Sequence, residues 1–142
     1  MTISAILERK GREVVSIGAD ATVREAVALL AGRRIGAVPV TEGGRVAGIF
    51  SERDVIYHIA AHGEAILEWQ VSRVMTAPAI TIEPHVAALA ALSQMTKRRI
   101  RHLPVVEEGH LIGIVSIGDL VAYRINRIEE EAEALRTYIQ SA

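Results

Sequence analysis

Apolar positions along this chain change period in a fixed order, and the order occurs twice. Val14 to Ile17 is a short β-branched run that reads as a strand. Thr22, with Glu25 three residues on, resembles a capping box opening a helix from Val23 to Arg33, whose buried stripe is Val23, Ala26, Val27 and Leu30. Ile35 to Val40 and Arg45 to Phe50 are apolar runs on either side of Glu42-Gly43-Gly44, a hairpin signal because glycine takes positive φ without strain. A further helix begins near Ser51 and stops at Gly63. The second pass has a strand at Ala79 to Ile82, a helix at Val86 to Lys97, a hairpin around Glu107-Glu108-Gly109-His110 and a helix from Ile117. Each pass therefore reads strand, helix, strand, strand, helix.

The two passes superimpose without a gap, Val14 to Tyr57 onto Ala79 to Ala122, at an offset of 65 residues. Pro39-Val40 meets Pro104-Val105, and Gly48-Ile49-Phe50-Ser51-Glu52-Arg53-Asp54 meets Gly113-Ile114-Val115-Ser116-Ile117-Gly118-Asp119. Two copies are too few for a solenoid, so they are expected to pack on one another as a single α+β body. The expected organisation is an N-terminal arm at 1–12, a first repeat at 13–63, a connector with a short helix at 64–77, a second repeat at 78–124 and an amphipathic helix at 125–142. Leu120, Tyr123, Ile125, Ile128, Ala132, Leu135 and Ile139 keep helical spacing beyond the point where the first copy ends, and Glu129 to Glu131 with Glu133 make the intervening face acidic. Such a helix is a packing or dimer element.

Composition narrows the function. Half of the 142 residues are hydrophobic, enough for a real core. Sixteen basic against 17 acidic side chains leave a net charge of −1, which argues against a surface that tracks a nucleic-acid backbone. Without cysteine there is neither a disulfide nor a thiolate metal site. Glu8, Arg9 and Lys10 follow Met1 to Leu7 too soon for a signal peptide, and no run approaches the length of a membrane span, so no membrane partner and a cytoplasmic location are expected.

Candidate chemistry gathers at the repeated Gly-x-x-Ser-x-x-Asp turn. Ser51 and Asp54 stand in the N-cap to N3 relation, as do Ser116 and Asp119, so each pair is able simply to cap its helix. The same geometry offers free N–H groups to a phosphate and a carboxylate to a ribose diol. Beside the first turn, Gly36, Ala37, Val38 and Pro39 form a strand with little bulk, leaving room for a planar base. The equivalent stretch Arg101-His102-Leu103-Pro104 follows Lys97, Arg98 and Arg99, which puts basic side chains at the rim of the second pocket or, for Lys97 to Arg99, at a solvated helix end. A rival reading takes Asp54, His58 and His62, four residues apart, as ligands of a metal-dependent hydrolase; the alternative for them is a polar helix stripe. Phosphate-loop and nucleophile-elbow motifs are absent from the sequence.

The early apolar strand, the hydrophobic-Pro-Val strand and the Gly-x-x-Ser-x-x-Asp turn, each present twice, resemble the paired cystathionine β-synthase (CBS) domain, or Bateman module. The phrases Ser51-Glu52-Arg53-Asp54, Met95 to His102 and Ser116-Ile117-Gly118-Asp119 resemble those of small stand-alone bacterial members. That resemblance implies two pseudo-symmetric βαββα units with ligand clefts between them, commonly assembled as disc-like homodimers. It implies a regulatory module with no catalytic cofactor, binding AMP, ADP, ATP, NAD(H) or S-adenosylmethionine and acting on an effector protein that the chain does not identify. Asp54 and Asp119 would hold ribose hydroxyls, and Ser51 and Ser116 would lie near ribose or phosphate. Val15-Ser16-Ile17 and Ile80-Thr81-Ile82 would border the base, and Arg99, Arg101 and His102 would reach phosphate. The copies differ where Gly36 meets Arg101, Ala37 meets His102 and Arg53 meets Gly118, so the clefts need not share a ligand. A ligand-free dimerisation scaffold is the remaining alternative.

Overall fold

Local capping sets the helices. The computed structural model describes residues 1–11 and 13–141. Helix α1 spans Ile3–Lys10, strand β1 Ile17–Gly18, helix α2 Val23–Arg33, strands β2 and β3 Ala37–Glu42 and Arg45–Ser51, and helix α3 Glu52–His62. A 3₁₀ turn at Gly63–Glu68 and the one-turn helix α4, Val71–Val74, lead to α5 at Ala88–Arg98, β4 at His102–Glu107, β5 at His110–Ser116 and α6 at Ile117–Ser141. Thr22 caps α2 by accepting from Glu25 N, and Ser51 caps α3. Both hairpins turn through two residues of positive φ, Gly43-Gly44 and Glu108-Gly109, which suits the twist of the paired strands. The α+β class and the doubled architecture expected from the sequence are present.

The sheets are smaller than expected. Only Ile17 and Gly18 pair with β2, in parallel, and in the second copy only Ile82 bridges to Val105. Val15 and Ile80 are instead half-buried against the two cores, so their apolar character reflects packing rather than a ladder. Helix α5 starts at Ala88 rather than Val86, because its cap position is Ala87, which has no side-chain acceptor. Met1 O takes the Ala88 N–H at 2.9 Å, as Trp69 O takes that of Val23 at 2.8 Å.

The cores are completed crosswise. Ile66, Val71 and Val74 pack with Val23, Ala26, Leu30, Val38, Val40 and Phe50, while Ile3, Ile6 and Leu7 pack with Ala91, Met95, Leu103, Val105, Val115 and Leu120. Each copy is thus filled by the segment that precedes the other. Thr2 bridges Ala87 and Gln70 bridges Thr22, so α1 and α4 are equivalent under the internal symmetry. The repeated glycine of the motif allows this docking: a Cβ on Gly48 would lie 2.7 Å from Thr76 O, and one on Gly113 2.7 Å from Leu7 Cδ2. Strand β5 leads without a break into α6, whose apolar residues Ile125, Ile128, Leu135, Tyr138 and Ile139 are exposed.

Candidate functional site

In both copies a strand ends on the serine and a helix begins one residue later, so serine and aspartate face each other across the first turn. Asp54 Oδ2 accepts from Ser51 N at 2.9 Å and from Ser51 Oγ at 3.2 Å, and Asp54 N donates to Ser51 Oγ at 3.4 Å. In the second copy Asp119 Oδ2 accepts from Ser116 N at 2.8 Å, and Asp119 N donates to Ser116 Oγ at 3.1 Å. The capping role is therefore realised in both turns.

Crosswise packing then supplies each carboxylate with a second, different partner. Thr76 Oγ1 donates to Asp54 Oδ1 at 2.9 Å, and Lys10 Nζ donates to Asp119 Oδ2 at 2.7 Å and to Ile114 O at 2.9 Å. Both oxygens of buried Asp54 are thereby engaged, whereas Asp119 Oδ1 has no hydrogen-bond partner among the described residues. Burial pushes the Asp119 carboxyl up, but Lys10 and Ser116 outweigh it and hold the group below the usual carboxylate range. His102 at the start of β4 is half-buried, and that burial, reinforced by the Lys10 and Arg101 charges, lowers its pKa against the opposing pull of Asp119 and Glu52. Lys10, His102, Asp119 and Glu52 therefore share one electrostatic neighbourhood. Between α1 and α6 a cavity of about 200 Å³ reaches Asp119, lined by Ile6, Arg9, Lys10, Tyr123 and Asn126.

The other expected site residues are dispersed around these turns. Val38 and Ala37 are buried in β2, and Pro39 with them; Leu103 and Pro104 are their buried counterparts in β4. The space beside Gly36 holds the Glu52 carboxyl, which a Cβ there would meet at 2.5 Å. Arg53 and Gly118 are exposed on the first turns of α3 and α6, as is Arg101 next to His102. Arg99 ends α5 in the left-handed region at φ 54°, matching Arg34 at the end of α2, and is exposed. Ser16 and Thr81 are exposed, Ile17 and Ile80 half-buried, and Ile82 buried in the second core. None of Ile80, Thr81, Arg99, Arg101 and His102 borders the cavity beside Asp119.

The rival metal site is not assembled. His58 and His62 stack with ring centroids 6.1 Å apart, His62 lies 5.1 Å from Trp69, and Arg73 lies over the Trp69 ring at 3.6 Å, while Asp54 points to Ser51 and Thr76. Among the described residues no group of three or more histidine, cysteine, aspartate or glutamate side chains is placed to hold a metal.

Sequence reasoning missed Thr76 and Lys10. Both lie far along the chain from the carboxylate they meet, and both fall outside the ungapped repeat. A signal was nonetheless present: Ile3, Ile6 and Leu7 have the same spacing as Val71, Val74 and Met75, a second internal likeness at a different offset.

The paired units with their twin Ser/Asp turns define a tandem-repeat α+β module, and comparison with known proteins says which. The CBS domain family matches residues 6–61 and 71–126, and the chain belongs to that family. It is 35% identical over 148 aligned positions to the mitochondrial CBS domain-containing protein CBSX3 of Arabidopsis thaliana, covering 98% of this chain and 72% of that protein. The crystal structure of the CBS-domain containing protein ATU1752 from Agrobacterium tumefaciens superimposes with a TM-score of 0.83 at 42% identity, covering 87% of this chain and 99% of that one. The CBS domain pair of protein MJ0100, solved in complex with 5'-methylthioadenosine and S-adenosyl-L-methionine, shares the fold with a TM-score of 0.79 at 20% identity over 89% of this chain and 98% of its own. Among the described residues no helix is long and apolar enough to cross a membrane.

Proposed function

We propose that this CBS pair is a non-catalytic sensor of adenosine-containing ligands, AMP, ADP, ATP or NAD(H) among them, that works in the cytoplasm as a homodimer and passes its state to an effector protein. The observation that carries the reading is the duplicated Ser/Asp turn, with a carboxylate fixed at each helix start and a crosswise segment closing over it. A fixed carboxylate accepts O–H bonds from a ribose diol, and the helix start attracts phosphate. The adenosine ligands carried by the MJ0100 CBS pair on the same fold support the choice of ligand class. Val15, Ser16 and Ile17 and, in the second copy, Ile80, Thr81 and Ile82 border the base. Ligand regulates by binding one arrangement of the dimer better than another.

Calorimetry with AMP, ATP, NAD+, NADH and S-adenosylmethionine tests the reading. Hydrogen bonds to a charged group contribute roughly 1.5 to 3 kcal/mol each, so Asp54→Ala and Asp119→Ala should each weaken their own cleft by at least about tenfold. Because both turns already form complete caps, the second reading is a scaffold in which the serines and aspartates only hold helices. Dimerisation without binding of any of these compounds would establish the scaffold instead.

A further inference from the structure

The two carboxylates are held by chemically different locks. Asp54 is closed by a neutral hydroxyl, that of Thr76, and the Glu52 carboxyl lies against Gly36 nearby. Asp119 is closed by an ammonium group that also grips Ile114 O, so the bond is a charge-assisted one set at the end of α1. A carboxylate oxygen has two lone pairs, and Asp119 Oδ2 has already spent both, on Ser116 N and on Lys10 Nζ. A vicinal diol that spans the carboxylate finds Oδ1 open and Oδ2 closed. Ser116 N belongs to the helix cap and is fixed by the backbone, whereas Lys10 sits on a flexible four-carbon stem with its side chain 36% exposed. Lys10 is therefore the partner that must leave.

We infer that Lys10 makes the second cleft selective for anionic nucleotides over neutral nucleosides, because the ammonium group displaced from Asp119 by a ribose is re-paired only when the same ligand brings a phosphate. The inference rests on the proposed adenosine-ligand reading and deepens it. A neutral nucleoside breaks the Lys10–Asp119 ion pair and leaves the ammonium without a counter-charge. A nucleotide exchanges one anionic partner for another. The first cleft has no such requirement, since the Thr76 hydroxyl turns away without stranding a charge. The two clefts thus sort adenosine compounds by charge.

The test compares adenosine with AMP by calorimetry in an Asp54→Asn background, in which the first cleft loses its diol acceptor while the amide oxygen still accepts from Ser51 N. AMP is expected to bind at least about tenfold more tightly than adenosine. Lys10→Met should shrink that ratio by about the same factor, by weakening AMP and strengthening adenosine. Lys10→Arg, which keeps the charge, should preserve the preference. A ratio unchanged by Lys10→Met, or both compounds weakened equally as a merely structural role would give, overturns the inference and leaves the sensor reading standing. Failure of wild type and every variant to bind either compound, with melts showing all of them folded, overturns both.

Discussion

His102 titrates within the electrostatic neighbourhood of Lys10 and Asp119. In the folded protein burial first, then Lys10, holds its pKa below 6.5, so the unfolded chain binds the proton more readily across the window just under that value. Stability therefore rises with pH through that window and levels off above it. Asp119 acts in the same direction lower down, because its depressed pKa makes its contribution full above the ordinary 3.8 and lost as pH falls through the folded value. Thermal melts from about pH 8 to about pH 5 should show a falling midpoint in wild type and a flatter profile in His102→Gln. An identical slope in the two would mean that His102 is not the titrating group.

At the scale of elements, the glycine before each Ser/Asp turn is a docking surface for a segment from elsewhere in the chain. Thr76 is fixed by two backbone bonds to Ile49, both 2.9 Å, so its carbonyl cannot retreat from a methyl on Gly48. Gly48→Ala should cost about 1–3 kcal/mol in urea denaturation. Gly113→Ala presses only on the flexible end of Leu7 and should cost clearly less; equal losses would show that the two dockings are not differently anchored. The elements that were legible in the sequence are those set by neighbours in the chain. Thr22 and Gly63 mark α2 and α3 to the residue, and Gly43-Gly44 marks the first hairpin. Those that were not depend on distant contacts. Val14 and Val15 look like a strand because they are apolar, but β2 offers parallel pairing only from Val40 onward. The start of α5 is set by Met1 O, which no local pattern announces. In the candidate site, the Ser/Asp pairs were readable because capping is local, while the Lys10 lock joins residues 109 positions apart.

For the whole molecule, the exposed apolar faces call for a partner. Ile56 on α3 and Val121 on α6 are 63% and 44% exposed, and they occupy equivalent positions in the two repeats. With Tyr57, Ile59, Ile125 and Ile128 they form apolar faces of the kind that marks protein contacts. In the proposed homodimer these faces meet those of a second copy. Ile56→Asp with Val121→Asp should convert the dimer to a monomer in sedimentation while a cooperative thermal melt persists. A double variant that still sediments as a dimer would move the interface elsewhere, to the far end of α6.

The exchange of flanking segments also imposes an order on birth. As the nascent chain leaves the ribosome, the first half can close once Thr76 has emerged, because all that fills it lies upstream. Ile3, Ile6 and Leu7 are made before that first half yet must wait for Met95, Val115 and Leu120, roughly a hundred residues later, before they find shelter. Until Leu120 has emerged, this apolar stretch is what a chaperone would find.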